Sequence, residues 1–176
     1  MNHTDHVNLL RRGVPASAGV WADFGSGTGA FTLALAELLD PGGEIYSVDK
    51  DRGALRAQEQ AMQARFPQTT VHYLAADFTQ PLDLPPLAGL VLANALHFQN
   101  YAAQAEVIRR LKSYLCPGGR LILVEYNVDR GNMWVPHPLS YQSWAKLARE
   151  CGFTHTQLLA TKPSRFLQEI YAAVSW

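Results

Sequence analysis

The chain has 176 residues, 48% of them hydrophobic, which suits one compact domain with a buried core, and no apolar run approaches the ~20 residues that cross a bilayer. Fifteen Lys and Arg residues balance fifteen Asp and Glu residues, so the basic excess typical of nucleic-acid-binding proteins is lacking and we expect no nucleic-acid partner. Cys116 and Cys151 lie far apart without CxxC spacing, and the polar N-terminus has no signal-peptide core, so we expect reduced thiols in a cytoplasmic protein without a membrane partner.

Short β-like segments alternate with longer helical segments along the chain, and turn residues such as Asp40-Pro41-Gly42-Gly43 separate them. In chain order the predicted elements are helix His3–Arg12, strand Val20–Phe24, helix Ala30–Leu39, strand Glu44–Val48, helix Arg52–Arg65, strand Val71–Leu74, strand Gly89–Ala93, helix Ala102–Leu115, strand Arg120–Tyr126, helix Ser140–Cys151 and strands near Thr154–Thr161 and Phe166–Trp176.

This alternation predicts an α/β fold, in which helices cover both faces of a doubly wound, mostly parallel sheet. Only Lys162-Pro163-Ser164 separates the last two predicted strands, and so short a link cannot make a parallel crossover. We therefore expect these two strands to be antiparallel, near one edge of the sheet. Segment 1–18 holds at most one short helix, so we expect a single domain over residues 1–176 without a separate cap domain.

A glycine-rich loop, Gly25-Ser26-Gly27-Thr28-Gly29, connects the first predicted strand to the next helix. Glycines at such a turn let the backbone approach a ligand closely, and the helix N-terminus presents free N–H groups. The spacing is G-x-G-x-G, whereas the dinucleotide fingerprint is G-x-G-x-x-G. The loop therefore predicts a nucleotide-like ligand, with the nicotinamide dinucleotides disfavoured.

Two carboxylates near this loop narrow its ligand further. Asp23 stands two residues before the first glycine, where it would repel a pyrophosphate but suit the ammonium of an amino acid. Asp49 ends the second strand twenty positions after Gly29, where a ribose-binding carboxylate belongs; its alternative role is a helix N-cap. The two positions together predict a ligand with a ribose and a cationic end.

Five segments carry motifs: Val20–Gly29, Tyr46–Asp51, Ala75–Phe78, Leu90–His97 and Leu115–Leu121. In this order and at this spacing they resemble the class I, Rossmann-like, S-adenosylmethionine-dependent methyltransferases, in the form common among small-molecule enzymes. The resemblance implies S-adenosyl-L-methionine as cofactor, S-adenosyl-L-homocysteine as product and a small organic acceptor. It also implies the sheet order 3-2-1-4-5-7-6, with strand 7 antiparallel.

The same resemblance implies a set of cofactor-binding residues. They are Asp23, Gly25, Ser26, Gly27, Thr28, Gly29, Asp49, Lys50, Asp77, Phe78 and Asn94. In the family, the acidic residue of the second motif holds the ribose hydroxyls, which points to Asp49. The third motif contacts adenine through its Asp and the following residue, here Asp77 and Phe78. The alternative for Asp77 is a turn cap ahead of Phe-Thr.

An argument independent of the family places these residues on one rim of the sheet. Ligands of open α/β sheets bind beyond the carboxyl ends of the strands. Asp23, Asp49, Asp77, Asn94 with His97, and Glu125 each lie at or just after the carboxyl end of a different predicted strand. Because core packing alone would not gather carboxylates there, we expect these side chains to surround the ligand.

The sequence defines the residues that would bind the methyl acceptor less well than those for the cofactor. The reason is that methyl transfer from a sulfonium mainly requires alignment of the acceptor with the methyl group. A general base helps a weak nucleophile such as a hydroxyl, and His97 and His137 are the candidates by position, with Tyr141 behind them. His97, Trp134, His137 and Tyr141 are the residues predicted to line the acceptor pocket. The alternatives are a hydrogen-bonded histidine closing a strand for His97, a surface turn for His137, and shielding of the core edge for Trp134.

Other chemistries are disfavoured by residues that the motifs lack. Ala93-Asn94-Ala95-Leu96 is not the Asn-Pro-Pro-Tyr type of signature used on amino groups, and we expect no metal site because carboxylates do not cluster near strands four and five. A non-catalytic regulatory protein that binds the cofactor remains an alternative, as does, less favourably, a nicotinamide-dependent oxidoreductase. We expect a monomer or a homodimer, and the segments His3–Arg12 and 127–139 are the candidate lids.

Overall fold

Helices and strands alternate along most of the part of the chain that the computed structural model describes, residues 1–17 and 19–176. The helices are α1 His3–Leu10, α2 Ala30–Leu38, α3 Arg52–Arg65, α4 Tyr101–Ser113 and α5 Tyr141–Glu150. The strands are β1 Val20–Phe24, β2 Glu44–Asp49, β3 Thr70–Ala75, β4 Leu87–Ala93, β5 Leu115–Tyr126, β6 Thr156–Pro163 and β7 Glu169–Ser175. A 3₁₀ turn, Leu96–Phe98, follows β4. Ala18, the last residue of the predicted N-terminal segment, lies outside the described residues.

The strands form one sheet in the order β3-β2-β1-β4-β5-β7-β6. Strand β1 pairs in parallel with β2 and β4, which places Asp23 beside Ser47 on one side and Val91 on the other. Strand β7 runs antiparallel to β5 and β6, because residues 164–168 are too few for a crossover. The predicted α/β class, strand order and reversed strand are therefore confirmed.

The largest differences between predicted and observed strand starts are at β5 and β7. Strand β5 begins at Leu115, earlier than predicted, because Leu115 pairs with Leu87 of β4 before a register shift in that ladder. The predicted helix Ala102–Leu115 correspondingly ends at Ser113. Strand β7 begins at Glu169, later than predicted, because residues 164–168 form the turn, in which Gln168 has a φ of +56°.

Side-chain caps at their N-termini explain where three of the helices begin. The Asp51 carboxylate accepts hydrogen bonds from two main-chain N–H groups in the first turn of α3. Asn100 and Ser140 cap α4 and α5 in the same way. Such caps satisfy N–H groups that lack a partner within the helix, and each stabilises the helix by about 1 kcal/mol.

The core has two parts, one on each face of the sheet. On one face α4 and α5 pack over β1, β4, β5 and β7, with Phe24, Leu92 and Trp144 fully buried. On the other face α1 and α2 pack over the same strands, with Leu10 and Trp21 buried. Helices pack on both faces and hold the sheet rigidly. The carboxyl ends of its parallel strands are not covered by these helices, and the loops of the site lie there.

Helix α1 belongs to this second part of the core. It buries Val7, Leu9 and Leu10, and Lys162 of β6 forms an ion pair with Asp5, with 2.8 Å between Nζ and Oδ1. The expectation that His3–Arg12 serves as a lid is therefore wrong, because the apolar face of the helix is committed to the core. None of the described helices is long and apolar enough to span a membrane.

Candidate functional site

A cleft of about 300 Å³ opens at the carboxyl ends of β1, β2, β3 and β4. Its lining comprises Gly25, Asp49, Lys50, Ala76, Asp77, Phe78, Asn94, Ala95, Phe98 and Gln99. The volume matches the lower end of the range for small-molecule sites. Six of the residues predicted to bind a cofactor thus share one cavity, as expected where parallel strands end together.

The glycine loop between β1 and α2 is held in an unusual backbone conformation. Gly25, Gly27 and Gly29 have φ values of +70°, +53° and +88°, in the left-handed region that favours glycine. The N–H groups of Gly25 and Ser26 donate to the carbonyl of Val48, at 2.8 and 3.2 Å. A Cβ built on Gly27 would meet nothing within 4 Å, so the loop leaves open space at this position.

Asp49 lines the cleft, and its carboxylate is hydrogen-bonded to the glycine loop. One of its carboxylate oxygens accepts from Gly27 N–H and the other from Asp51 N–H, both at 2.8 Å. These bonds fix the orientation of the carboxylate. Each oxygen keeps a further lone pair, so Asp49 can still accept hydrogen bonds from ligand hydroxyls.

Asp77 and Phe78 form the wall next to β3. The main-chain N–H and the hydroxyl of Thr79 both donate to Asp77 Oδ1, at 2.9 and 2.7 Å. These two bonds hold the pKa of the Asp77 carboxyl below its usual range. Asp77 therefore does cap a turn, the alternative role considered from sequence, and it lines the cleft as well.

Asn94, directly after β4, has a left-handed backbone conformation and a side-chain oxygen without a hydrogen-bond partner. Its φ is +50°, and its main-chain N–H donates to the carbonyl of Val124. Its side-chain Oδ1 is buried and accepts no hydrogen bond from any described residue. Such orphaned acceptors are rare in folded proteins. Because Asn94 lines the cleft, a ligand that donates a hydrogen bond here would satisfy it.

Asp23 lies beneath the loop and does not line the cleft. Its side chain is 1% exposed, and Thr32 Oγ1 donates to its Oδ2 at 2.7 Å. Burial raises the pKa of the Asp23 carboxyl to about 7, partly offset by the bonds from Thr32. The predicted contact between Asp23 and a ligand ammonium stays a prediction. Ser26, Gly27, Thr28 and Gly29 also lie in the loop without lining the cleft.

His97 and Glu125 form a buried pair at the ends of β4 and β5. His97 Nδ1 lies 2.8 Å from Glu125 Oε2, and the side chains are 4% and 0% exposed. Because an ionised carboxylate only accepts, Nδ1 donates the hydrogen bond, and Nε2 is the ring nitrogen that does not face Glu125. His97 precedes Phe98 of the cleft wall in the 3₁₀ turn, but it does not itself line the cleft.

The other residues predicted to line an acceptor pocket lie in or after the loop 127–139 and, like His97, are outside the cleft lining. The main-chain N–H of His137 donates to the His97 carbonyl. The His137 and Tyr101 rings are in an edge-to-face arrangement, with 5.2 Å between their centroids. Trp134 is 68% exposed, whereas Tyr141 packs against Tyr171. The structure thus anchors His137 beside His97 but leaves Trp134 in solvent.

Comparison with known proteins supplies the family. A model of the methyltransferase domain matches residues 22–121, which is more than half of the chain and includes the loop, Asp49, Asp77, Asn94 and His97. The chain belongs to the methyltransferase domain family.

Two curated relatives and one solved structure illustrate the similarity. Acetylserotonin O-methyltransferase of Mus musculus is 34% identical over 120 residues, covering 64% of this chain and 29% of that protein. The ubiquinone/menaquinone biosynthesis C-methyltransferase UbiE of Azotobacter vinelandii is 27% identical over 105 residues, covering 60% and 41%. A structure of Burkholderia thailandensis 1,6-didemethyltoxoflavin-N1-methyltransferase with S-adenosylhomocysteine has a TM-score of 0.75 at 18% identity, covering 98% and 77%.

The chain spans less than half the length of these curated relatives. Their names include methylation at oxygen and at carbon, and that of the solved neighbour includes nitrogen. Similarity alone therefore does not identify the acceptor atom for this methyltransferase domain.

Sequence reasoning did not assign several residues that matter in this methyltransferase domain. Phe98 and Gln99 line the cleft within and just after the 3₁₀ turn, which carries no periodic signal. Glu125 was expected on the rim, but its pairing with His97 depends on the adjacency of β4 and β5. Across the described residues there is no group of three or more His, Cys, Asp or Glu that could hold a metal ion.

Proposed function

We propose that this chain is an S-adenosylmethionine-dependent methyltransferase that acts on a small organic acceptor. The observation that carries the proposal is the cleft itself. It combines the open glycine loop, the oriented carboxylate of Asp49 and the unpaired acceptor of Asn94 at the carboxyl ends of four strands. A ligand with a ribose and a cationic amino acid would match these three features.

The residues present fit such a cofactor. Asp49, with Lys50 beside it, would hold the ribose hydroxyls, and Asp77 and Phe78 would hold the adenine. The open space at Gly27 would admit the amino-acid end, and Asn94 Oδ1 would accept a hydrogen bond from it. When bound, the cofactor supplies an activated methyl group on a sulfonium, so the protein needs to supply only alignment and, for weak nucleophiles, a base.

The His97–Glu125 pair supports a hydroxyl as the acceptor group. A hydroxyl must lose its proton as it attacks, and His97 Nε2 is free to take that proton. The Glu125 carboxylate orients the ring through Nδ1 and stabilises the imidazolium that forms. We therefore assign His97 as general base and Glu125 as its positioning residue, and we give His137 no proton-transfer role.

Exposed apolar side chains beside the cleft support a flat, apolar acceptor. Phe98 lines the cleft and is 63% exposed, and Met133 and Trp134 in the neighbouring loop are 85% and 68% exposed. Large apolar groups grouped at a cavity mouth commonly mark a binding surface. We infer that the acceptor lies between Phe98 and the loop 127–139, within reach of His97.

Binding of S-adenosylhomocysteine, measured by isothermal titration calorimetry, tests the proposal. We expect micromolar binding by the wild-type protein and a loss of about tenfold or more for Asp49→Ala, because ribose hydroxyls would lose a charged acceptor. Glu106→Ala, on the exposed surface of α4, is the control and should bind like wild type. Absence of wild-type binding, together with thermal stabilisation by NADH, would refute the proposal.

The role of His97 is tested with a series of phenols of decreasing acidity as methyl acceptors. His97→Gln should lower kcat for weakly acidic phenols by about 10²-fold, while the Kd for S-adenosylhomocysteine stays unchanged. Phenols that are already ionised need no base and should lose much less. An equal loss across the series would show that His97 acts by packing and not by proton transfer.

A further inference from the structure

Three polar side chains form a buried network beneath the glycine loop. Ser26 belongs to the loop, Ser47 to β2 and Gln58 to α3, and they are 8%, 0% and 0% exposed. Ser47 and Gln58 do not line the cleft, and the family motifs assign them no role. Fully buried polar groups destabilise a fold unless they are hydrogen-bonded, so this network requires a physical account.

The hydrogen bonds in the network have a direction. Gln58 Nε2 donates to Ser47 Oγ at 2.8 Å. The single hydroxyl hydrogen of Ser47 then goes to Ser26 Oγ at 2.7 Å, which is closer than Gln58 Oε1 at 3.1 Å. The chain of donors therefore runs from α3 through β2 to the loop.

The contact between α3 and the loop is also steric. A Cβ built on Gly29 would collide with the side-chain stem of Gln58, so only glycine lets the loop descend onto α3. At Gly27, by contrast, no described atom lies near the position of a Cβ. Packing thus fixes one end of the loop, while its centre depends on hydrogen bonds that Val48 and Asp49 accept from it and that Ser47 donates to it.

We propose that Ser47 and Gln58 are positioning residues for the cofactor site: they hold the glycine loop in the conformation that receives the amino-acid end of the ligand. This inference rests on the proposed function. Three glycines in five residues give the free loop many conformations, and ordering them opposes binding. A network that orders the loop in advance lowers this entropic cost.

The first experiment compares two ligands by calorimetry. S-adenosylhomocysteine carries the amino-acid end, whereas 5′-methylthioadenosine carries the adenosine without it. Ser47→Ala should weaken S-adenosylhomocysteine binding by about tenfold, because the bond to Ser26 is lost. Binding of 5′-methylthioadenosine should change by no more than about twofold. Gln58→Met, which keeps the Ser47–Ser26 bond, should show an intermediate loss.

The double variant Ser47→Ala/Gln58→Met separates positioning from simple stability. Ser47→Ala alone leaves the Gln58 amide buried without a partner and should lower the melting temperature. Replacing both Ser47 and Gln58 with apolar groups removes the unpaired amide, so the double variant should melt at a higher temperature than Ser47→Ala, with only Ser26 Oγ left without its donor. The loop remains untethered in the double variant, so its affinity for S-adenosylhomocysteine should stay weak.

Val174→Ala is the matched control, because Val174 is buried in β7 away from the loop. It should lower the melting temperature without changing the Kd for either ligand. Amide hydrogen exchange of residues 25–29 should accelerate in Ser47→Ala and in the double variant, but not in Val174→Ala.

Two results would overturn the inference. One is wild-type affinity for S-adenosylhomocysteine in the double variant, and the other is an equal loss of affinity for both ligands. If the wild-type protein binds neither ligand, the proposed function itself fails, which is a different outcome.

Discussion

At the residue scale, the site contains two side chains that the folded chain alone does not satisfy well. Asp23 is a carboxyl group buried beneath the loop, and Asn94 has a buried acceptor without a partner on a left-handed backbone. Strain and unsatisfied groups concentrate at functional sites, where binding supplies what the fold lacks. The Asp23 prediction concerns stability against pH, and the Asn94 prediction concerns stability and ligand binding together.

Asp23 should make stability fall as the pH rises. Burial raises its pKa from 3.8 to about 7, so between these values the folded chain binds more protons than the unfolded chain. Asp23→Asn removes this effect and should raise the free energy of unfolding by about 4 kcal/mol at pH 8, with little difference near pH 4. Urea denaturation of both proteins across this range measures it. A pH-independent difference would contradict the assigned cause.

Replacing Asn94 should make the unbound protein more stable and weaken ligand binding. Asn94→Gly removes the orphaned acceptor and suits a φ of +50°, so we expect the unbound protein to gain about 1 kcal/mol in unfolding free energy. Affinity for S-adenosylhomocysteine should fall by about tenfold, because a ligand donor loses its acceptor. Urea denaturation and calorimetry measure the two effects. A variant that is less stable but binds normally would show that Asn94 is only structural.

At the element scale, each helix either supports the sheet or holds a loop of the site. Helix α3 holds the glycine loop through Gln58. Helix α4 holds the loop 127–139 through the buried Gln104, whose side-chain amide donates to the carbonyls of Gln99 and His137. Helix α1 contacts the core instead. A helix that packs on the core without contacting a loop of the site should therefore affect stability but not ligand binding.

Leu10 of α1 tests this separation. The side chain is fully buried, so Leu10→Ala should cost about 3 kcal/mol of unfolding free energy through lost burial and the cavity left behind. The Kd for S-adenosylhomocysteine, measured on folded protein, should stay within about twofold of the wild-type value. Leu10→Ile is the milder control. A tenfold change in Kd in Leu10→Ala would place α1 in contact with the site.

At the scale of the whole molecule, the alternation of strands and helices largely determined the architecture. Hydrophobic periodicity marked most elements, and the short link at 162–164 required the last strand to be reversed. A parallel sheet brings all its carboxyl-terminal ends to one edge, so the sequence positions of Asp49, Asp77 and Asn94 sufficed to place them in one cleft.

Tertiary structure alone decided how the polar groups pair. His97 and Glu125 stand 28 positions apart and meet only because β4 and β5 are neighbours. Gln58 lies beneath the loop because α3 packs against β2, and Asp23 has a raised pKa because the fold removes water from it. The sequence by itself determined the order of elements and the edge that carries the site, since periodicity and turn chemistry are local. Hydrogen-bond partners and desolvation depend on distances between elements, which only the packed structure establishes.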